Sequence, residues 1–170
     1  MADELGLPVV SIIDTPGAAL TQEAEELALA GEIARTLGWL ADLSVPTVSV
    51  ILGQGGGGAA LAMLPADRVL CAGNGWLAPL PPEGASAIVH RSADQAPEMS
   101  RRQRLGANDL LSDGIIDEVV AEPDFPSGDG GELFCAAIGE AIAHHLQELL
   151  ELDKDSRLAM RRERFRQIGR

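Results

Sequence analysis

Two rhythms of apolar and polar positions alternate along the chain, and each switch marks an element. Leu7 to Asp14 is a run of apolar and β-branched residues that predicts a strand, stopped by Thr15, Pro16 and Gly17. From Thr21, a residue that caps helices well, apolar positions recur at steps of 3 and 4 through Leu27, Ala30, Ala34, Leu37 and Ala41. This spacing predicts one long helix with one apolar face, ending near Leu43. Pro46 stands where a strand can begin, and Val48 to Leu52 forms a second apolar run that stops at Gly53. Strand, helix and strand make a parallel βαβ unit, which crosses over right-handed.

Beyond it, five of the six positions from Gly53 to Gly58 are glycine, followed by the helix formers Ala59 to Met63. A turn feeding a helix N-terminus is expected there. Arg68 to Cys71 and Trp76 to Leu80 predict short strands, and Pro81 to Gly84 lead into a helix through Ala85, Ala87, Ile88 and Val89. Short helices over Met99 to Leu105 and Asn108 to Leu111 precede a strand at Ile115 to Val120. A loop from Glu122 to Gly131 then leads to a charged helical segment from Glu132 to about Arg166, solvated on one side. The whole is an α/β chain with a core over residues 1–123 and a loop and helical tail over 124–170.

Composition narrows the classes. A chain of 170 residues with 46% apolar content is the size of one domain with a real core. A net charge of −13 opposes phosphate backbones, so no nucleic-acid partner is expected. No apolar run approaches the ~20 residues that span a bilayer, and the first residues lack the basic stretch and apolar core of a signal peptide. A soluble cytoplasmic protein without a membrane partner is the expectation. Cys71 and Cys135 form no CxxC pair, so they offer neither a disulfide framework nor a zinc site, and both are expected to be ordinary buried thiols. The single lysine, Lys154, leaves no interior P-loop, Schiff base or biotinyl attachment site.

Candidate chemistry gathers in two loops that follow neighbouring strands, Asp14 to Ala18 and Gly53 to Ala60. The carboxyl ends of parallel strands are where open α/β sheets bind ligands. With side chains nearly absent, the available groups are backbone amides, which a glycine turn aims at an anion and a helix N-terminus reinforces. Such an oxyanion hole is worth about 3 kcal/mol per donor in the transition state. Three other readings compete. Asp14-Thr15-Pro16-Gly17 also spells a GTPase switch, but no GxxxxGK[ST] loop precedes it. Gly53, Gly55 and Gly58 satisfy GxGxxG, but Ala72, Gly73 and Asn74 stand where a dinucleotide site wants an acid. A purely structural glycine turn is the third.

The polar side chains read mostly as structural. Ser86 misses the GxSxG pattern and is expected to cap or pack. Glu83 is expected to start a helix, His90 is isolated, and His144 and His145 lie on a charged helix. Arg101, Arg102 and Arg104 suit a solvated helix face, and the tail Arg161, Arg162, Arg164, Arg166 and Arg170 offsets the acidic segment before it.

The ordered motifs Ile13 to Ala18, Val45 to Val48, Gly53 to Ala62, Pro82 to Ile88, Ser92 to Ala96 and Gly114 to Asp117 resemble the carboxyltransferase α subunit of bacterial acetyl-CoA carboxylase. The resemblance covers about Leu7 to Pro123, and the helical tail is similar in kind. It implies a crotonase-like fold, a spiral of ββα units related to Clp protease, with a C-terminal helical segment, making residues 1–170 the α-type, C-terminal half of a carboxyltransferase. It further implies transfer of a carboxyl group from carboxybiotin to acetyl-CoA, giving malonyl-CoA for fatty acid synthesis. The acyl-CoA would be held by a β-type domain, fused upstream or separate, and the biotin carried by a biotin carboxyl carrier protein, often across a homo-oligomer interface. By similarity, amides at Gly58, Ala59 and Ala60 stabilise the biotin oxyanion, Ala59 standing where the family has glycine. Gly17 and Ala18 would line the opposite wall, with Gly56, Gly57, Glu83 and Gly84 beside the substrate. Another crotonase-like hydratase or thioesterase would need paired carboxylates or a nucleophile, and Glu83 stands alone near the loops. A non-catalytic assembly module is the other alternative.

Overall fold

The computed structural model describes residues 1–19, 21–123 and 130–167. Its centre is a parallel sheet: β1 (Val9–Thr15), β2 (Thr47–Gly56), β3 (Arg68–Ala72) and β5 (Glu118–Val120) lie in that order, and β4 (Trp76–Ala78) pairs with the far end of β2. All four pairings are parallel, as the βαβ reading requires. After a short N-terminal helix α1 (Ala2–Leu5), the helices are α2 (Gln22–Glu26), α3 (Leu29–Asp42), α4 (Gly57–Met63), α5 (Pro82–His90), α6 (Ala96–Gln103), α7 (Ala107–Ser112), α8 (Gly130–Leu150) and α9 (Lys154–Gln167).

Both sheet faces are covered, which is why β2 is buried without interruption from Thr47 to Ile51. On one face Ile13, Ile51, Val69 and Cys71 pack with Ala60 and Leu64 near α4 and Leu110 of α7. On the other, Val48, Val50 and Leu70 pack against Ile138, Ala141 and Leu149 of α8. Register pairs Val10 with Val48 and Ile12 with Val50, so β1 continues this second face. There Val10 and Ile12 are 40% and 47% exposed.

Four expectations are corrected. The single helix from Thr21 is two helices, broken where Ala28 takes a left-handed φ of 54°. Thr21 does cap the first, its Oγ1 accepting from the Ala24 amide at 3.2 Å. The apolar row Leu27, Ala30, Ala34 and Leu37 is exposed, and the half-buried side of α3 is Ile33, Thr36 and Leu40. The tail helix is also two, because Asp153 caps α9 by accepting from the Ser156 amide and hydroxyl. Those bonds hold the Asp153 carboxyl below its ordinary range. The expected loop from Glu122 to Gly131 lies largely outside the described residues, and Gly130 already belongs to α8.

The tail arginines are not a simple counterweight. Arg161 is 2% exposed. Its guanidinium forks onto Asp67, with Nε to Oδ1 at 2.9 Å and Nη2 to Oδ2 at 2.7 Å. It also donates to the Leu40, Leu43 and Val45 carbonyls, satisfying the end of α3. Asp67 in turn accepts from the Thr47 amide and hydroxyl at 2.8 and 3.0 Å. Arg164 bonds Asp117 and the Ile115 carbonyl, and His145, 8% exposed, meets Glu118 at 2.8 Å. Arg104 braces Asp109 and Asp113, while Arg101 and Arg102 pair with Glu98 on the surface.

The cysteines differ as well: Cys71 is buried but Cys135 is exposed. Burial, reinforced by the Glu122 charge, pushes the Cys71 thiol up to about 12. Thiolate is the reactive form. Ellman's reagent at pH 8 is therefore expected to titrate Cys135 at once and Cys71 only after denaturant is added. Because the folded value lies above the ordinary 9.0, the stability this thiol contributes is intact below pH 9 and lost as pH rises through about 12. Rapid labelling of both thiols in the native protein would refute this packing.

Candidate active site

The site begins where β1 and β2 end side by side. The β2 strand does not stop at Gly53 as its sequence suggests; it stays extended to Gly56. The reason is pairing on both sides, Thr15 with Gly55 on one and Gln54, Gly55 and Gly56 with Trp76, Leu77 and Ala78 on the other. The glycines permit close approach: a Cβ on Gly56 would lie 2.2 Å from the Pro16 carbonyl oxygen, and one on Gly55 2.7 Å from that of Trp76. Only at Gly57, with φ of +61°, does the chain turn into α4.

The two candidate loops are thus pressed together. Asp14 Oδ1 accepts from the Gln54 amide at 2.9 Å, so this carboxylate ties one loop to the other. Thr15 Oγ1 accepts from the Gly17 amide at 3.2 Å, which consumes that donor and leaves Gly17 as bare wall. Gly17 and Gly57 face each other, a Cβ on Gly57 reaching to 3.8 Å from the Gly17 Cα. Ala18 follows, half-buried, on the same rim. Behind the turn, Gly58 backs onto Ile33 of α3, and Ser49 Oγ anchors the end of α4 by donating to the Met63 carbonyl at 2.6 Å.

The helix start determines which amides lack an acceptor of their own. With Gly56 as N-cap, the first helical amides, Gly57, Gly58 and Ala59, have no acceptor within the helix, whereas Ala60 donates back to the N-cap carbonyl. Among the described residues no side chain caps these donors. Gly57, Gly58 and Ala59 are half-buried, while Ala60 is fully buried. Of the triplet that the sequence singles out, Gly58 and Ala59 lie in this uncapped first turn, with Gly57 before them and Ala60 after.

Beside this mouth lies a cleft of about 490 Å³, lined by Pro16, Trp76, Pro82, Glu83, Ser100 and Leu105 among others. Glu83 sits in the first turn of α5 behind two prolines, both the helix start expected and a cleft residue. Gly84 lies one step behind it against Leu80. Ser86 is buried and structural, its hydroxyl bonded to the Ser92 carbonyl and the Gln95 amide. Trp76 and Ser100 were not singled out by sequence reasoning. Trp76 carries a signal, a lone aromatic just after the Gly73 to Gly75 turn, but Ser100 carries none.

The parallel sheet, its ordered helices and this amide-lined mouth define a crotonase-like fold of the carboxyltransferase class. Among solved structures, the 12S transcarboxylase hexamer superposes with a TM-score of 0.73 over 88% of this chain and 28% of its own, at 22% identity. A Pseudomonas malonate decarboxylase hetero-tetramer in complex with coenzyme A gives 0.68 over 89% of this chain and 60% of its own, at 20% identity. More specifically, the chain belongs to the acetyl co-enzyme A carboxylase carboxyltransferase-like family, whose model matches residues 1–169. It is 50% identical over 170 residues to a probable biotin-dependent acyl-coenzyme A carboxylase beta3 subunit of Mycobacterium tuberculosis, covering 99% of this chain and 34% of that one. It is 44% identical over 171 residues to the acetyl-coenzyme A carboxylase carboxyl transferase subunit alpha of Deinococcus radiodurans, covering 99% of this chain and 54% of that one. The chain thus spans about a third to a half of these relatives, and both are named as subunits. No helix among the described residues is long and apolar enough to cross a membrane.

Proposed function

We propose that this chain is the biotin-facing, α-type half of an acyl-CoA carboxyltransferase. The observation that supports it most is the row of uncapped amides at Gly57, Gly58 and Ala59, opening between two loops that Asp14 ties together. The residues fit biotin: the cleft is mainly apolar, as a fused ring system needs, and the amides and the helix dipole favour a negatively charged oxygen beside it. When bound as carboxybiotin on a carrier protein, the group supplies the carboxyl for transfer and an anionic ureido oxygen once it is lost. Gly57, Gly58 and Ala59 hold that charge without reorganising. Gly17 and Ala18 close the opposite wall, and Gly56 keeps the two walls at van der Waals distance. Trp76, Pro16 and Pro82 exclude water from the cleft, and Glu83 offers the rim a hydrogen-bond acceptor.

The acyl-CoA, in this reading acetyl-CoA going to malonyl-CoA in fatty acid synthesis, is held by a β-type partner domain. A biotin carboxyl carrier protein delivers the biotin, and the working assembly is an oligomer in the cytoplasm. Residues 1–123 form the crotonase-like core and 124–170 a C-terminal extension, whose α8 closes one sheet face.

Reconstitution tests this. The chain mixed with a β-type carboxyltransferase half, biotinylated carrier and acyl-CoA is expected to exchange the carboxyl group. Either half alone is expected to give no product above background. Malonyl-CoA formed by this chain alone from free carboxybiotin would overturn the division of labour.

A further inference from the structure

We propose that a groove between α3, α4 and α9 binds a small amphipathic anion, an apolar chain or ring carrying one carboxylate or phosphate. The groove encloses about 460 Å³, within the roughly 300–1,000 Å³ of small-molecule sites. Leu37 and Ala41, one turn apart on α3, form one wall, and Leu61 and Leu64 from the end of α4 form the other. Arg162 and Arg166, neighbours at i and i+4 on α9, stand at its rim.

Charge selects the occupant. The chain carries −13, and over this apolar floor stand two guanidiniums whose partners, Asp42 and Glu163, are themselves exposed and can be exchanged for another anion. Neighbouring Arg161 and Arg164 turn inward to Asp67 and Asp117, whereas Arg162 and Arg166 remain 57% and 69% exposed in their side chains. Arg162 hydrogen-bonds Asp42 directly at 3.0 Å and Arg166 meets Glu163 at 3.8 Å, both on the exposed surface. Exposed pairs of this kind contribute little, so both guanidiniums can turn to an incoming anion, whose planar carboxylate or phosphate matches their fork. A cation would find both carboxylates already paired, and a purely apolar ligand would gain nothing from the arginines. The groove lies at the opposite end of α4 from the uncapped amides, so it stands or falls independently of the reading given above.

Isothermal titration of the whole chain with decanoate, decyl phosphate and decanol, each below its aggregation limit, tests the assignment. Saturable one-to-one binding of decanoate or decyl phosphate is expected, the tighter of the two naming the head group. The Arg162→Ser/Arg166→Ser variant should weaken it at least tenfold, and Ala41→Trp, which fills the groove, should abolish it. Decanol should bind the native chain no better than the anion binds the arginine variant. Circular dichroism checks that each variant is folded, and the surface arginine pair keeps the test valid if Ala41→Trp unfolds. Absence of saturable binding by either anion, or binding indifferent to the arginine substitutions, overturns the proposal. So does sedimentation showing that the groove is buried in a dimer.

Discussion

Replacing Ala59 with proline is expected to slow carboxyl transfer by the reconstituted enzyme about 10²–10³-fold, the loss found when one oxyanion donor is removed. Ala59 is the third residue of α4, counting from Gly57. Proline in a first helical turn removes an N–H that the helix does not use and leaves the turn intact. The preceding residue is Gly58, which best tolerates the restriction proline places on its neighbour. The substitution therefore separates a donor from a fold in a way that a bulky side chain would not. Ala59→Gly is the matching control: it keeps the amide, removes only the methyl, and should retain activity within about threefold of the parent, well under one donor's worth. The measurement is the rate of carboxyl exchange at saturating acyl-CoA, alongside the denaturation midpoint of each variant. Ala59→Pro with parental rate and parental stability would mean that this amide faces no developing charge.

Arg161→Met is expected to destabilise the chain by roughly 3–5 kcal/mol, the loss found when one member of a buried ion pair is removed. The side chains of Arg161 and Asp67 are 1% and 3% exposed. Removing the guanidinium strands the Asp67 carboxylate with only the Thr47 amide and hydroxyl, and uncovers the Leu40, Leu43 and Val45 carbonyls. Since the strain comes from an unpaired buried charge, Arg161→Met with Asp67→Asn should recover a large part of the loss. Asparagine is neutral and still accepts from Thr47. Urea denaturation of the two single variants and the double gives the coupling directly. A loss under about 1 kcal/mol for Arg161→Met, the value of an exposed pair, would contradict the burial. Asp67 and Arg161 also fix the start of β2 and the end of α3, so the loss should be felt in folding before it is felt in chemistry.

What the sequence conveyed and what it withheld divide along the range of the interactions. The β1 and β2 runs are legible because each is a mainly apolar, β-branched stretch between turn residues, broken only by Ser11 or Ser49, a signal contained in the segment itself. The start of α4 was nearly legible from its alanines. The glycine stretch was misread as a turn because residues without side chains carry no period. Its extended path is imposed by Thr15 and by Trp76 to Ala78, partners that lie far along the chain. With α4 starting at Gly57, the uncapped turn takes in Gly57 as well as Gly58 and Ala59. The left-handed Ala28 that splits α2 from α3 has no sequence signal, since alanine is the residue least expected to break a helix. Arg161 looked like one charge among five in a basic tail. Its role depends on Asp67, which lies 94 positions away. Exposed apolar positions such as Val10, Ile12 and Leu37 lie in the elements their sequence predicts but outside the packed interior.

The most direct test follows the backbone amides themselves. In a ¹⁵N-labelled chain titrated with a biotinylated carrier domain, the Gly57, Gly58 and Ala59 amide signals should shift together and saturate, while Ala60, bonded within α4, moves much less. Unbiotinylated carrier should leave all four in place. Shifts confined to other surfaces, or an Ala60 response equal to that of its three predecessors, would contradict an anion held at the mouth of this helix.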